Sequence, residues 1–206
     1  MRALLRGLTC GLLLACSAAT GWATTYDLGS ANSDVMNAIS GYTGNYATVT
    51  IEGNTVTFAG LQNVSFGGNI YDFMLNDVGM NVNGTATLSN FDPGTWAQAV
   101  APHSPQQFDG FGIFNVSAGS TDSNGGNVAT DMISFDSTNV ALMNNLLGYN
   151  LAAHVYVFQE GVTTGAIATG FIANGAPPVP EPGTFLLLGT GFLGLAVFSK
   201  RRRNNA

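Results

Sequence analysis

The sequence predicts a mainly β protein, a single jelly-roll-like β-sandwich ectodomain between an N-terminal signal peptide and one C-terminal transmembrane helix. Three observations predict it. Short runs of β-branched and aromatic residues alternate with polar ones through most of the chain, separated by Asn- and Gly-rich turns. Both ends break that pattern, each being an apolar run beside a group of cations. The stretch between them, 24–176, is long enough to bury one core and too short for two comfortable ones.

Arg2 and Arg6 precede an apolar run at Leu8 to Ala15 and then small residues from Ser17. That order is the charged region, apolar region and cleavage region of a secretory leader. Gly21-Trp22-Ala23 places small residues at −3 and −1, so residues 1–23 form the signal peptide and the cut follows Ala23. Leu13-Leu14-Ala15-Cys16 offers a competing reading, a lipoprotein signal with Cys16 lipidated. Cys10 and Cys16 are the two cysteines of the chain, and both lie in the leader. A mature domain cut after Ala23 therefore has no disulfide and depends on its core.

Ala47 to Ile51 alternates apolar and polar, Glu52-Gly53-Asn54 turns, and Thr55 to Ala59 alternates again, which reads as a hairpin. Further strands are expected at Ile70 to Leu75, Thr85 to Ser89, Phe111 to Ser117, Asp131 to Asp136, His154 to Phe158 and Ala166 to Ile172. These make about eight strands, a sandwich-like number. Helical periodicity is expected at Val140 to Leu151, with a second candidate at Thr95 to Val100. No internal repeat of fixed period is present.

Charge is segregated. All six Lys and Arg residues lie in the leader or the last seven residues, whereas every carboxylate except Glu181 lies within 24–176. No Lys or Arg salt bridge can form inside the domain, so Asn, Ser, Thr and backbone groups must satisfy its polar atoms. Nucleic acid and anionic lipid are excluded as electrostatic partners, because nothing in 24–176 neutralises phosphates.

Candidate chemistry is sparse. His103 lies in Ala101-Pro102-His103-Ser104-Pro105, a proline-marked loop. His154 shares a strand face with Tyr156 and Phe158, opposite Val155 and Val157, and is expected to be a hydrogen-bonded structural residue rather than a general base. Asp109 and Asp136 are carboxylates of the kind a glycosidase pairs, with no spacing signal to support it. No Gly-x-Ser-x-Gly elbow, His-Glu-x-x-His helix or phosphate-cradling glycine loop is present, and no catalytic residue is assigned. Thr121 to Asn127 sets Asp122, Asn124 and Asn127 around a glycine pair, a weak calcium loop without the closing acidic residue of an EF-hand. Turn formation alone accounts for such residues, so calcium is the one cofactor left open. Trp96 and Tyr26, Tyr42, Tyr46, Tyr71, Tyr149 and Tyr156 are candidates either for the core or for a sugar-stacking platform.

The tail carries the strongest signal. Prolines at 177, 178, 180 and 182 make 177–184 an extended connector. Phe185 to Phe198 holds no charge and one polar side chain, Thr190, which places a membrane helix at 185–199. Lys200, Arg201, Arg202 and Arg203 then form a cytoplasmic stop-transfer cluster within 200–206. Even counted from Gly183 the helix reaches only about 25 Å, short of a hydrocarbon core of ~30 Å. Gly189, Gly191 and Gly194 weaken it further. A short, weak anchor suits a segment that is cut away after it has done its work.

Val179-Pro180-Glu181-Pro182-Gly183-Thr184, the Leu/Gly-rich run and the terminal Arg cluster together resemble a PEP-CTERM sorting signal over 178–206. The resemblance implies an exosortase as partner, with Pro180, Glu181 and Pro182 as its recognition residues. It implies a Gram-negative, exopolysaccharide-making bacterium, transient residence in the inner membrane, and a final place at the cell surface or in the extracellular matrix. Phe108 to Asn115, Leu151 to Val157 and Thr169 to Ile172 resemble parts of other PEP-CTERM ectodomains, which implies a shared sandwich. The function expected is an exported, non-enzymatic envelope or matrix protein associated with exopolysaccharide. A carbohydrate-binding module is the alternative, and a hydrolase the third reading.

Overall fold

A computed structural model describes residues 23–100, 104–121, 129–163 and 165–175. The leader, the tail, His103 and the loop holding Asp122, Asn124 and Asn127 lie outside the described residues. The protein is mainly β. Its strands in chain order are β1 (Thr24–Leu28), β2 (Ser30–Ala31), β3 (Ala47–Glu52), β4 (Thr55–Gly60), β5 (Val64–Phe66), β6 (Asn69–Met80) and β7 (Leu88–Asp92). There follow β8 (Trp96–Gln98), β9 (Gln106–Phe108), β10 (Gly112–Phe114), β11 (Val116–Ser120), β12 (Met132–Ser137), β13 (Leu151–Gln159) and β14 (Ala168–Ala173). One short helix, α1 (Ser33–Ala38), is present among the described residues.

The strands form two open antiparallel sheets and a hairpin. One sheet runs β1-β3-β4-β12-β7 and the other β2-β14-β13-β6-β11-β8, with β5 on the free edge of β6. Alternation decides which side faces in. In β3 and β4, Ala47, Val49, Ile51, Val56 and Phe58 are buried, while the intervening Thr48, Thr50 and Thr57 are half-exposed. The hairpin register, Ile51 opposite Val56, keeps these residues on one side. In β13 the same period buries Ala153, Val155 and Val157. Side chains from both sheets, among them Phe58, Phe135, Ile133, Phe73, Leu75 and Val157, form one core cluster.

The two sheets join at a corner. Gly60 N donates to Asp131 O at 2.8 Å, Phe73 N to Leu61 O at 2.9 Å, and Thr130 N to Leu75 O at 2.9 Å. Gln62 Nε2 donates to the carbonyls of both Phe73 and Gly60. Gly60 is required there because a Cβ would fall on the Phe73 carbonyl oxygen.

The hairpin β9–β10 covers part of the outer face of the larger sheet. Phe108, Phe111 and Phe114 form a second buried cluster with Ala152 and Ala173, against which Phe171 and Tyr149 pack. The Phe108 ring meets Phe114 and Phe171 edge-on, with centroids 5.2 and 5.7 Å away. Gly79 leaves room beneath it, since a Cβ there would lie 2.6 Å from the ring. Phe108 to Asn115, Leu151 to Val157 and Thr169 to Ile172 thus pack on one another.

Several expectations are corrected. Val140 to Leu151 is not helical: Leu142 bridges Val82, and β13 begins at Leu151. Asparagines take the backbone donors that a helix would need. Asn139 Oδ1 accepts from Ala141 N, while Asn145 Oδ1 accepts from Leu147 N and Tyr149 N. Thr95 to Val100 holds the strand β8, whose Trp96 enters the core. Phe111 to Ser117 is two strands, broken at Asn115, whose side chain binds the backbone N and O of Val82. The strand expected at Thr85 begins at Leu88.

Candidate functional site

The outer face of β6, β13 and β14 gathers the polar groups nearest to chemistry. His154 faces Asp77 on one side and Phe171 on the other. The register between β6 and β13 shifts next to that pair, which leaves Asn76 as an extra residue in β6. Such a bulge re-aims a side chain, and here the Asn76 amide turns toward the pair. Asn76 Nδ2 donates to Asp77 Oδ2 at 2.8 Å and lies 3.1 Å from His154 Nδ1. His154 Nε2 lies 2.7 Å from Thr169 Oγ1, and Thr169 pairs with Tyr156 across β13 and β14.

Asp77, His154 and Thr169 therefore lie in the order of a carboxylate, base and hydroxyl nucleophile, but the protons run the wrong way for that use. An amide NH2 only donates, so Nδ1 of a neutral His154 ring accepts from Asn76, and its Nε2 then carries the hydrogen and donates to Thr169. A general base needs the reverse: Nε2 free to take the hydroxyl proton and Nδ1–H held by the carboxylate. Asp77 Oδ2 is 3.5 Å from Nδ1, beyond a good hydrogen bond. The ring is fixed by stacking on Phe171, with centroids 4.7 Å apart. The chain Asn76 to His154 to Thr169 is a satisfied polar network on a sheet face.

Beside it lies a cleft of about 530 Å³, lined by Asp77, Gln98, Gln106, Gln107, Ser120 and Thr121 among others. Asp77 links cleft and network. Along β13 the outer face continues through Tyr156 and Phe158, both half-buried. Between Phe171 and Tyr156 stands the His154 ring, with centroids 4.7 and 5.3 Å away. Burial and the Asp77 carboxylate raise the Tyr156 hydroxyl above its ordinary value, so it stays a neutral hydrogen-bonding group.

The other candidates are scattered. Asp109 lies in the β9–β10 turn and Asp136 on the smaller sheet, so they do not pair. Asp136 instead accepts from Thr55 and Asn90 at 2.8 Å each, which holds its carboxyl below the ordinary range. Trp96, Tyr46 and Tyr71 are core residues, and Tyr26 and Tyr42 pack against the core. Among the described residues no group of three His, Cys, Asp or Glu side chains could hold a metal. The loop with Asp122, Asn124 and Asn127 lies outside them, as do Pro180, Glu181, Pro182 and the cluster from Lys200 to Arg203. The transmembrane expectation also falls there; among the described residues no helix is long and apolar enough to cross a membrane. Sequence reasoning placed His154 on the correct face but missed Asn76, Asp77 and Thr169, for which no local pattern exists.

Residues 178–203 match the family model of the PEP-CTERM protein-sorting motif. The chain carries a PEP-CTERM sorting signal. The match contains Pro180-Glu181-Pro182, the apolar run and the terminal Arg cluster. The signal implies export, cell-surface targeting in a bacterium, and an exosortase as processing partner. No curated protein and no solved structure matches the chain.

Proposed function

We propose that this PEP-CTERM chain is a non-enzymatic matrix or envelope protein of a Gram-negative bacterium, associated with its exopolysaccharide. The signal peptide at 1–23 exports it, the helix at 185–199 holds it briefly in the inner membrane, and an exosortase acting at Pro180-Glu181-Pro182 releases it. The cargo is the β domain, read as a jelly-roll-like sandwich because its two sheets feed one core. The sorting motif carries the reading, since a chain built to be displayed and released works where the matrix is laid down. The Asn76-to-Thr169 network supports the non-enzymatic part, because its donor order leaves His154 unable to activate the hydroxyl.

A second reading, a carbohydrate-binding module, is favoured by the half-buried Tyr156 and Phe158 on the outer face of β13. Flat rings on a sheet face suit the apolar face of a sugar, and neighbouring Thr169 and Asp77 offer hydrogen bonds. The absence of Lys and Arg from 24–176 selects neutral glycans over acidic ones. Co-sedimentation of the secreted protein with purified host exopolysaccharide tests both. The matrix reading expects retention in the wild type. The module reading further expects retention to fall when Tyr156 and Phe158 are changed to Ala, whereas a soluble protein absent from the pellet contradicts both.

A further inference from the structure

A cluster of exposed apolar side chains lies where the β12–β13 connection meets β10. Met143, Leu146 and Leu147 of the β12–β13 connection stand beside Ile113 of β10, all exposed, with Leu146 fully so. They border a groove of about 440 Å³ lined also by Asn81 and Gly112, with no charged residue in its wall. Hydrogen bonds hold the leucines outward. Asn145 Nδ2 donates to Phe111 O at 2.7 Å, Asn145 Oδ1 accepts from Leu147 N at 3.0 Å, and Met143 N donates to Asn81 O at 2.9 Å. A pinned, protruding, uncharged tip on an otherwise carboxylate-rich domain requires an apolar occupant.

The place where the chain leaves the domain identifies that occupant. Asn174 follows β14, and its Oδ1 accepts from the backbone N of Asn150 and Leu151. Asn174 Nδ2 donates to Asn150 Oδ1 at 2.7 Å, and Asn150 Nδ2 donates to Asn144 Oδ1 at 3.2 Å. Two side-chain hydrogen bonds thus connect the exit point to the wall of the groove. The nine residues from Ala176 to Thr184 can span at most about 32 Å before the apolar run begins at Phe185. The opposite end of β13 is roughly 27 Å from Leu151. The apolar tip is at the end of the domain from which the anchor departs.

We infer that Leu146, Leu147, Ile113 and Met143 form a membrane-seating tip that dips into the bilayer interface while the tail is in place. This rests on the reading of 185–199 as a membrane anchor. The contact is apolar insertion, since no cation is present to attract lipid phosphate. The tether supplies the high local concentration that four side chains alone do not need to supply. Once the tail is cut, so small a tip holds the domain only weakly, and release follows.

Residues 24–206 hold no cysteine, so in the chain that has lost its leader but keeps its tail a Leu146→Cys variant accepts one environment-sensitive fluorophore, and Glu160→Cys at the far end of β13 serves as control. Both are reconstituted into phosphatidylcholine liposomes with and without lipids carrying a quencher in their acyl chains. The inference expects both proteins to float with the liposomes, the 146 label to be blue-shifted and quenched, and the 160 label to remain water-like. Water-like emission at both positions overturns it. A blue-shifted but unquenched 146 label also overturns it, in favour of cover by the chain's own tail or by a second copy. Failure to float removes the anchor reading itself, and the seating with it.

Discussion

Asp77 and His154 face each other across β6 and β13, yet the amide of Asn76 occupies the Nδ1 that the carboxylate would need. That one interposed donor determines the state of the imidazole. Ring-nitrogen NMR is expected to show the neutral His154 ring as the tautomer with hydrogen on Nε2 and an unprotonated Nδ1. Asn76→Ala frees Nδ1 to turn toward Asp77 and should invert that tautomer. An Nδ1–H signal in the wild-type protein would restore the catalytic order and contradict the non-enzymatic reading.

Phe108 is the hub of the second core and is fully buried. Phe108→Ala should cost about 3 kcal/mol in urea unfolding, because it leaves a ring-sized cavity between the hairpin and the sheet. Limited proteolysis should then cut near the β9–β10 turn. A loss well under 1 kcal/mol would mean that the hairpin lies loosely on the sheet.

Ser117 sits opposite Gly79 on the covered face, and among the described residues its buried hydroxyl has no hydrogen-bond partner. Ser117→Ala removes an unsatisfied polar atom at almost constant volume, so it should stabilise the domain by about 1 kcal/mol. Destabilisation of that size would show that the hydroxyl is bonded in solution.

The Asp136 carboxyl is held below its ordinary value of 3.8 by Asn90 and Thr55. A lowered folded value means that the carboxylate contributes stability above the unfolded value, and that this is lost as pH falls through the folded one. The wild type should therefore melt higher than Asp136→Asn at neutral pH, with the gap closing in strong acid. Asp136 is half-exposed, and solvent screening keeps the gap small. A gap that persists in strong acid would assign it to packing rather than to charge.

What the sequence made legible was local. The β3–β4 hairpin could be read because Val49 and Ile51 alternate with Thr48 and Thr50 up to a Gly-Asn turn. The sorting signal could be read because its parts are contiguous and its composition is extreme. The Val140 to Leu151 segment misled because its apolar spacing suits a helix, while the structure is set by asparagine side chains reaching Asn83, Phe111 and Asn174. Helix α1 went unread because six residues with one buried member, Val35, carry no period. The Asp77–His154 meeting depends on pairing between strands far apart in sequence and on a bulge at Asn76, neither of which leaves a local trace. The covering of Ala152 and Ala173 by Phe108 is of the same long-range kind.

The central claim is that the tail is a processing signal, and the C-terminus of the mature surface protein tests it most directly. Mass spectrometry of wild-type protein from the cell surface or matrix should find a chain ending near Pro180-Glu181-Pro182, without the apolar run or the residues from Lys200 to Ala206. Glu181→Ala removes the only charge of the recognition tripeptide while leaving the leader and the apolar run unchanged. That variant should be exported but stay full-length in the membrane fraction. An intact Lys200 to Ala206 tail on surface-located wild-type protein would make the segment a plain anchor and contradict the account.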